Sequence, residues 1–180
     1  ECLMAGHVVA DFDARRARIV EGVMAAAAAL GGEAVMDEDL LDEVTALTEW
    51  PVPLAGRFDA RFLEVPPEAL MSSMRGHQKY FPVRDATGRL LNHFITLANL
   101  ASRDPAQVIA GNERVIRPRL SDAAFFFEQD RKQPLAARRD ALRSVTYQAE
   151  LGSLFDKTER LAALAGWIAT QIGGEAAPPP

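Results

Sequence analysis

The 180 residues carry 48% hydrophobic and 25% charged side chains, ordinary proportions for a globular chain that buries a core in one or two domains. No apolar run approaches membrane-spanning length, since the alanine-rich stretch 25–30 is too short. Cys2 is the only cysteine, which excludes an internal disulfide and a cysteine metal cluster and fits a reducing cytoplasm. The net charge of −5 hides a segregation: residues 1–74 hold 5 basic and 14 acidic side chains, and residues 75–143 hold 13 and 7. Residues 144–180 hold 2 and 4, so the middle of an acidic chain reads as a local anion-binding surface. A start at Glu1 without methionine and a Pro178-Pro179-Pro180 end read as a piece of a longer chain, with no signal peptide.

In chain order, residues 3–10 read as a short strand that pairs with something outside the chain. Asp11 or Asp13 caps a helix from Phe12 to about Leu30, with Ile19, Val23 and Ala26-Ala27 at helical spacing and Gly31-Gly32 at its end. Asp37 opens a second helix through Leu40, Leu41, Val44 and Leu47, whose acidic face reads as solvated surface rather than a metal site. The prolines of Glu49–Ala55 restrict that extended segment to a sheet edge or a rigid loop. Pro67 starts a helix over 68–74. Tyr80–Arg84 and Leu90–Ala98 read as two strands joined by Asp85-Ala86-Thr87-Gly88, and their imperfect alternation suggests that both faces are covered.

Ser102 or Asp104 caps the next helix, with Pro105 in its first turn and an apolar stripe of Val108, Ile109, Val115, Ile116 and Leu120. Pro118 is expected to kink or restart it, and Ala123–Gln129 resumes it. Leu135, Leu142, Val145 and Leu151 predict another amphipathic helix. A last one carries Leu161, Leu164, Trp167, Ile168 and Ile172, with Asp156 as a possible cap and Gly173-Gly174 at its close. The fold class is therefore α+β, mostly helical with a small mixed or antiparallel sheet and a helix-rich C-terminal half. The expected division is an α+β portion (1–100), a basic helical segment packed on it (101–152) and the start of a following helical domain (153–180).

The chain lacks a phosphate-binding GxxxxGK[ST] loop, a GxGxxG turn and a GxSxG elbow. His7, His77 and His93 form no metal-binding pair by spacing: His77 reads as a surface residue in a polar turn or an anion contact beside Arg75 and Lys79, and His93 as a satisfied strand histidine. No catalytic or metal residue is assigned. The distinctive stretch is Gly111–Lys132, where Arg114, Arg117 and Arg119 fall within six positions and Arg131 and Lys132 follow. Such crowding suits bidentate binding of phosphate, or else a solvated helix face paired with Glu113, Asp122 and Glu128. Of Phe125, Phe126 and Phe127, which point in different directions around a helix, at least two are expected in the core, with base stacking the alternative.

Several strings together resemble the β subunit of bacterial-type glycyl-tRNA synthetase. They are Met74–Val83 (MRGHQKYFPV), Asn99, Val108–Ala123 (VIAGNERVIRPRLSDA), Phe125–Phe127, Asp130–Lys132 and Leu151–Arg160, with Val9–Asp11 and Glu49–Pro51 upstream and Leu164–Ala169 downstream. The resemblance implies a middle piece of a subunit several times longer, ending where an HD-like domain begins. It implies that a partner α subunit activates glycine with ATP and Mg2+, that the β subunit supplies much of the binding to tRNA(Gly), and that the two form a cytoplasmic α2β2 complex with no membrane contact. No cofactor is expected in this piece. The residues themselves nominate Arg75, Lys79, Arg114, Arg117 and Arg119, then Arg131 and Lys132, as contacts to tRNA phosphates. The alternatives are a structural or subunit-contact module without RNA contact and, lowest, an independent hydrolase.

Overall fold

A computed structural model of the chain describes residues 2–172. Two compact units emerge, Glu1–Phe127 and Glu128–Pro180. In the first, α1 (Cys2–Ala5), α2 (Phe12–Ala29) and α3 (Glu38–Leu47) alternate with short strand β1 (Glu33–Ala34) and precede β2 (Val52–Arg57). A 3-10 turn (Ala60–Glu64), α4 (Pro67–Gln78), β3 (Phe81–Arg84), β4 (Leu90–Ala98) and α5 (Pro105–Arg131) follow. The sheet is antiparallel throughout, in the order β1-β3-β4-β2. The α+β class is therefore borne out, and the sheet is antiparallel rather than mixed.

Helix starts follow the capping chemistry. Asp11 and Asp37 accept the N–H groups of Ala14 and Leu40 at 2.8 and 2.9 Å, so Asp11, not Asp13, caps α2. Asp104, rather than Ser102, accepts from Gln107 in the first turn of α5. In the β3–β4 loop, Asp85 accepts from Thr87 and Arg89, which holds its carboxyl down at about 2, and Gly88 takes the left-handed conformation that closes the turn.

Both sheet faces are covered, as the strand pattern suggests. On one side Phe81, Val83 and Ile95 pack with Ile19, Val23 and Ala27 of α2 and Leu40, Leu41 and Val44 of α3. On the other, Phe94 and Tyr80 pack with Phe58, Phe62, Leu70 and Met74, and with Ile116 and Leu120 of α5. Adjacent Phe94 and Ile95 are both fully buried because successive side chains point to opposite faces of a strand. Across from Phe94 stands Gly56 of β2, and Pro53 lies in the same edge strand, where a missing amide donor is tolerated.

The structure corrects several sequence expectations. Residues 3–10 form no strand: the chain opens in α1, and Val9 makes a single backbone bond to Glu49 O at 2.9 Å. Helix α4 continues beyond Met74 through the polar Arg75–Gln78 run and ends on Lys79 in the left-handed conformation. Helix α5 does not restart at Pro118, which lies inside one helix from Pro105 to Arg131. The carbonyl that Pro118 leaves without a donor belongs to Arg114, and both residues are exposed, which places that carbonyl on the solvent side of the helix.

The second unit, as far as residue 172, has no continuous helix over 135–151. A 3-10 segment (Leu135–Ser144) leads into a hairpin of β5 (Thr146–Gln148) and β6 (Gly152–Ser153), then α6 (Leu154–Gln171). Leu135 is 85% exposed, so it anchors no buried face of an α-helix there. Ser153 is the cap of α6 and Asp156 completes its capping box from the third helical position. The expected Gly173-Gly174 stop lies outside the described residues. Of the three phenylalanines, only Phe127 packs against a core cluster; Phe125 and Phe126 are 55% and 63% exposed.

Two glycines give opposite expectations. A methyl group on Gly56 falls inside van der Waals contact of the fully buried Phe94 ring, so Gly56→Ala is expected to destabilise by about 1–3 kcal/mol. Gly111, inside α5, has no atom within 4 Å of such a methyl, so Gly111→Ala is expected to stabilise by about 0.5–1 kcal/mol. Urea denaturation of the two variants measures both signs.

Candidate functional site

The basic residues nominated from sequence divide into two groups. Arg75, in the last turn of α4, donates to Asp37 Oδ2, while Asp37 Oδ1 caps α3. Lys79 Nζ lies 2.9 Å from Glu43 Oε1 on the same helix. With Asp39 and Glu68 nearby, these cations line a cleft rich in carboxylates and serve to join α4 to α3. Arg75 and Lys79 are thus brought together, but with acids as their neighbours.

The α5 group stands differently. Ile116 and Leu120 are fully buried, which fixes the rotation of the helix and turns Arg114, Arg117 and Arg119 outward. None of the three forms an ion pair or side-chain hydrogen bond among the described residues; Glu113 turns instead to the backbone N–H of Arg57, at 3.0 Å. At ~100° per residue, Arg114 and Arg117 lie about 60° apart on one face, and Arg119 is about 140° from Arg114, on the other flank. The three therefore fan around the exposed half of α5 instead of forming one patch. Arg131 and Lys132, at and just past the end of α5, are exposed, and Lys132 donates to Gln129 Oε1 at 2.9 Å.

A second polar contact, beside the Glu113–Arg57 bond, ties helix α5 to the start of β3. Tyr80 stacks on Phe94 with ring centroids 4.4 Å apart, and its hydroxyl donates to Asn112 Oδ1 at 2.6 Å. Asn112 in turn donates to Val108 O at 2.8 Å. Burial pushes the Tyr80 phenol up to about 12, because the ionised form loses its water there.

Sequence reading missed two arginines. Arg57 at the end of β2 and Arg61 in the 3-10 turn line a cleft together with Arg117. Both lie in the acidic first stretch, far from Arg117 in sequence, and only the sheet register and the burial of α5 bring them together. Among the described residues no group of three or more His, Cys, Asp or Glu side chains is arranged to hold a metal ion, and no helix is long and apolar enough to cross a membrane.

The family model described as glycyl-tRNA synthetase beta subunit matches residues 1–178. A glycine–tRNA ligase beta subunit of Marinobacter nauticus is 61% identical over 173 residues, covering 96% of this chain and 25% of that protein. Those of Edwardsiella ictaluri and Stutzerimonas stutzeri are 57% and 55% identical, covering 96% and 98% of the chain and 25% and 26% of their own length. The chain thus spans about a quarter of the curated relatives it matches.

Two variants separate support of the site from the site itself. Tyr80→Phe keeps the stack and removes the bond to Asn112, with an expected loss of about 1 kcal/mol at neutral pH. Because the folded-state pKa of Tyr80 is raised, its contribution is complete below pH ~10 and falls as pH climbs from ~10 toward ~12. Denaturation curves across that window are expected to be flatter in Tyr80→Phe. Asp37→Ala, which removes both the cap and the partner of Arg75, is expected to cost about 1–2 kcal/mol, while Arg75→Ala, which breaks a half-buried but solvent-reached pair and leaves the cap, is expected to cost about 1 kcal/mol or less.

Proposed function

The chain belongs to the glycyl-tRNA synthetase beta subunit family, and from that premise we propose that it is an RNA-backbone-binding and scaffold portion of a glycine–tRNA ligase. In this reading a partner α subunit, in an α2β2 complex of the cytoplasm, uses ATP and Mg2+ to activate glycine, and this segment helps hold tRNA(Gly) toward it. Residues from 153 onward open a further helical domain of the same subunit. The observation that carries the RNA reading is the outward fan of Arg114, Arg117 and Arg119, held by a buried helix face and without carboxylate partners among the described residues. Fixed guanidinium groups with unused donors suit phosphate oxygens, and such contacts position an RNA without reading its sequence. Arg131 and Lys132 extend the basic character along the chain. Arg75 and Lys79, already bound to α3 carboxylates, contribute less.

A second reading draws on Phe125 and Phe126, which are exposed on the same helix and meet edge to face at 5.5 Å. An exposed aromatic pair suits a protein contact, so α5 would then meet the partner subunit.

Replacing Arg114, Arg117 and Arg119 by alanine in the full-length subunit, assembled with its partner, tests the choice. The RNA reading expects tRNA affinity to fall at least about tenfold near 0.15 M salt, and the salt slope of binding to drop by about two. Unchanged affinity and slope with weakened subunit association would favour the second reading.

A further inference from the structure

Arg57, Arg61 and Arg117 come from β2, the 3-10 turn and α5, and they meet at one cleft of about 560 Å3. Two carboxylates share it, and both are committed to the backbone. Asp59 caps the 3-10 turn by accepting the Arg61 N–H at 3.0 Å, and its other oxygen lies 3.5 Å from Arg61 Nε. Glu113 Oε1 accepts the Arg57 N–H at 3.0 Å. The guanidinium groups of Arg57 and Arg117 have no ion pair or hydrogen bond among the described residues.

The framework beneath is fixed. Asn92 Nδ2 donates to Phe58 O and Phe58 N–H donates to Asn92 O, each at 3.0 Å, and Phe58 and Phe62 are buried. Fully buried Ile116 holds Arg117 beside them. The core thus gathers three cations and two carboxylates in one concavity, where Asp59 offsets Arg61 and Glu113 only partly offsets Arg57 and Arg117, leaving a net positive field. A single tetrahedral anion with several acceptor oxygens neutralises that field and uses the idle donors.

We propose that this cleft is a phosphate-binding site that seats one backbone phosphate of an RNA strand, an assignment that rests on the RNA reading above. Arg57 and Arg117 supply the open forks, Arg61 supplies the flank, and Glu113 limits the affinity by its charge while it positions the Arg57 backbone. Two substitutions therefore move binding in opposite directions. In Arg57→Ala/Arg61→Ala, two of the three cations are lost. In Glu113→Gln, the acceptor for the Arg57 N–H stays and the charge goes.

The test uses the full-length subunit in its complex, with tRNA binding titrated against salt. The double variant is expected to weaken binding at least about fivefold near 0.15 M salt and to lower the salt slope by about one, and Glu113→Gln is expected to tighten binding about two- to fivefold. Unchanged affinity and slope in the double variant overturns the cleft as a seat for an RNA phosphate. If Arg114→Ala/Arg119→Ala still weakens binding in that case, the RNA reading stands without the cleft; if that variant is also silent, the RNA reading falls with it. A raised KM for ATP in glycine activation, with tRNA affinity unchanged, assigns the cleft to a free nucleotide's phosphate and overturns the RNA source. Loss of binding in Glu113→Gln overturns the charge-limiting role.

Discussion

Phe94 and Ile95 are neighbours on β4, and the first unit depends on their pointing to opposite sides. Ile95 completes the cluster under α2 and α3, and Phe94 completes the one under α4 and α5. One strand thus anchors two helical layers, which is possible only where both faces are dry and the ladder satisfies every backbone group. The Phe94 ring takes the space beside β2 that a side chain at position 56 would fill, and on the ring rests Tyr80. Through the Tyr80 hydroxyl the constraint reaches Asn112 and sets one turn of α5.

That chain of contacts decides which cations are available. A surface ion pair contributes ~0–1 kcal/mol, too little to choose a fold, so arginines go where the apolar pattern sends them. Helix α4 buries Leu70 and Met74, and this leaves Arg75 and Lys79 facing the acidic side of α3. Helix α5 buries Ile116 and Leu120, and Arg114, Arg117 and Arg119 face outward with no ion pair among the described residues. The same residue type therefore has two roles by rotation alone: fastening at one place, unused donor capacity at another.

Much of this is legible in the sequence. Helical spacing locates the buried faces of α2 and α3, capping aspartates locate their starts, and the Gly88 turn locates the β3–β4 hairpin. The family resemblance in GNERVIRPRL likewise holds over almost the whole chain. Failures have physical causes. Pro118 signals a restart of the helix, but Arg114 and Pro118 are both exposed, so the freed carbonyl lies on the solvent side of one continuous α5. Leu135, Leu142, Val145 and Leu151 repeat at helical spacing, yet periodicity promises a helix only where a surface receives it. Hydrophobicity places most of the phenylalanine triplet in the core, whereas the helix lets only Phe127 reach a cluster.

The arginine cleft shows why charge counted along a sequence misleads. Arg57 and Arg61 belong to the acid-rich first stretch, and Arg117 to the basic one, so a short window of sequence never holds the three together. At physiological ionic strength exposed charges are screened beyond about 8 Å, so distant carboxylates in that first stretch do little to cancel them. What an approaching anion meets is the local set: Arg57 and Arg117 with unpaired guanidinium groups, Arg61 paired with Asp59, and Glu113 tied to the Arg57 amide. A net charge of −5 is therefore compatible with a phosphate-binding face, because register and helix rotation, not composition, determine which charges act together.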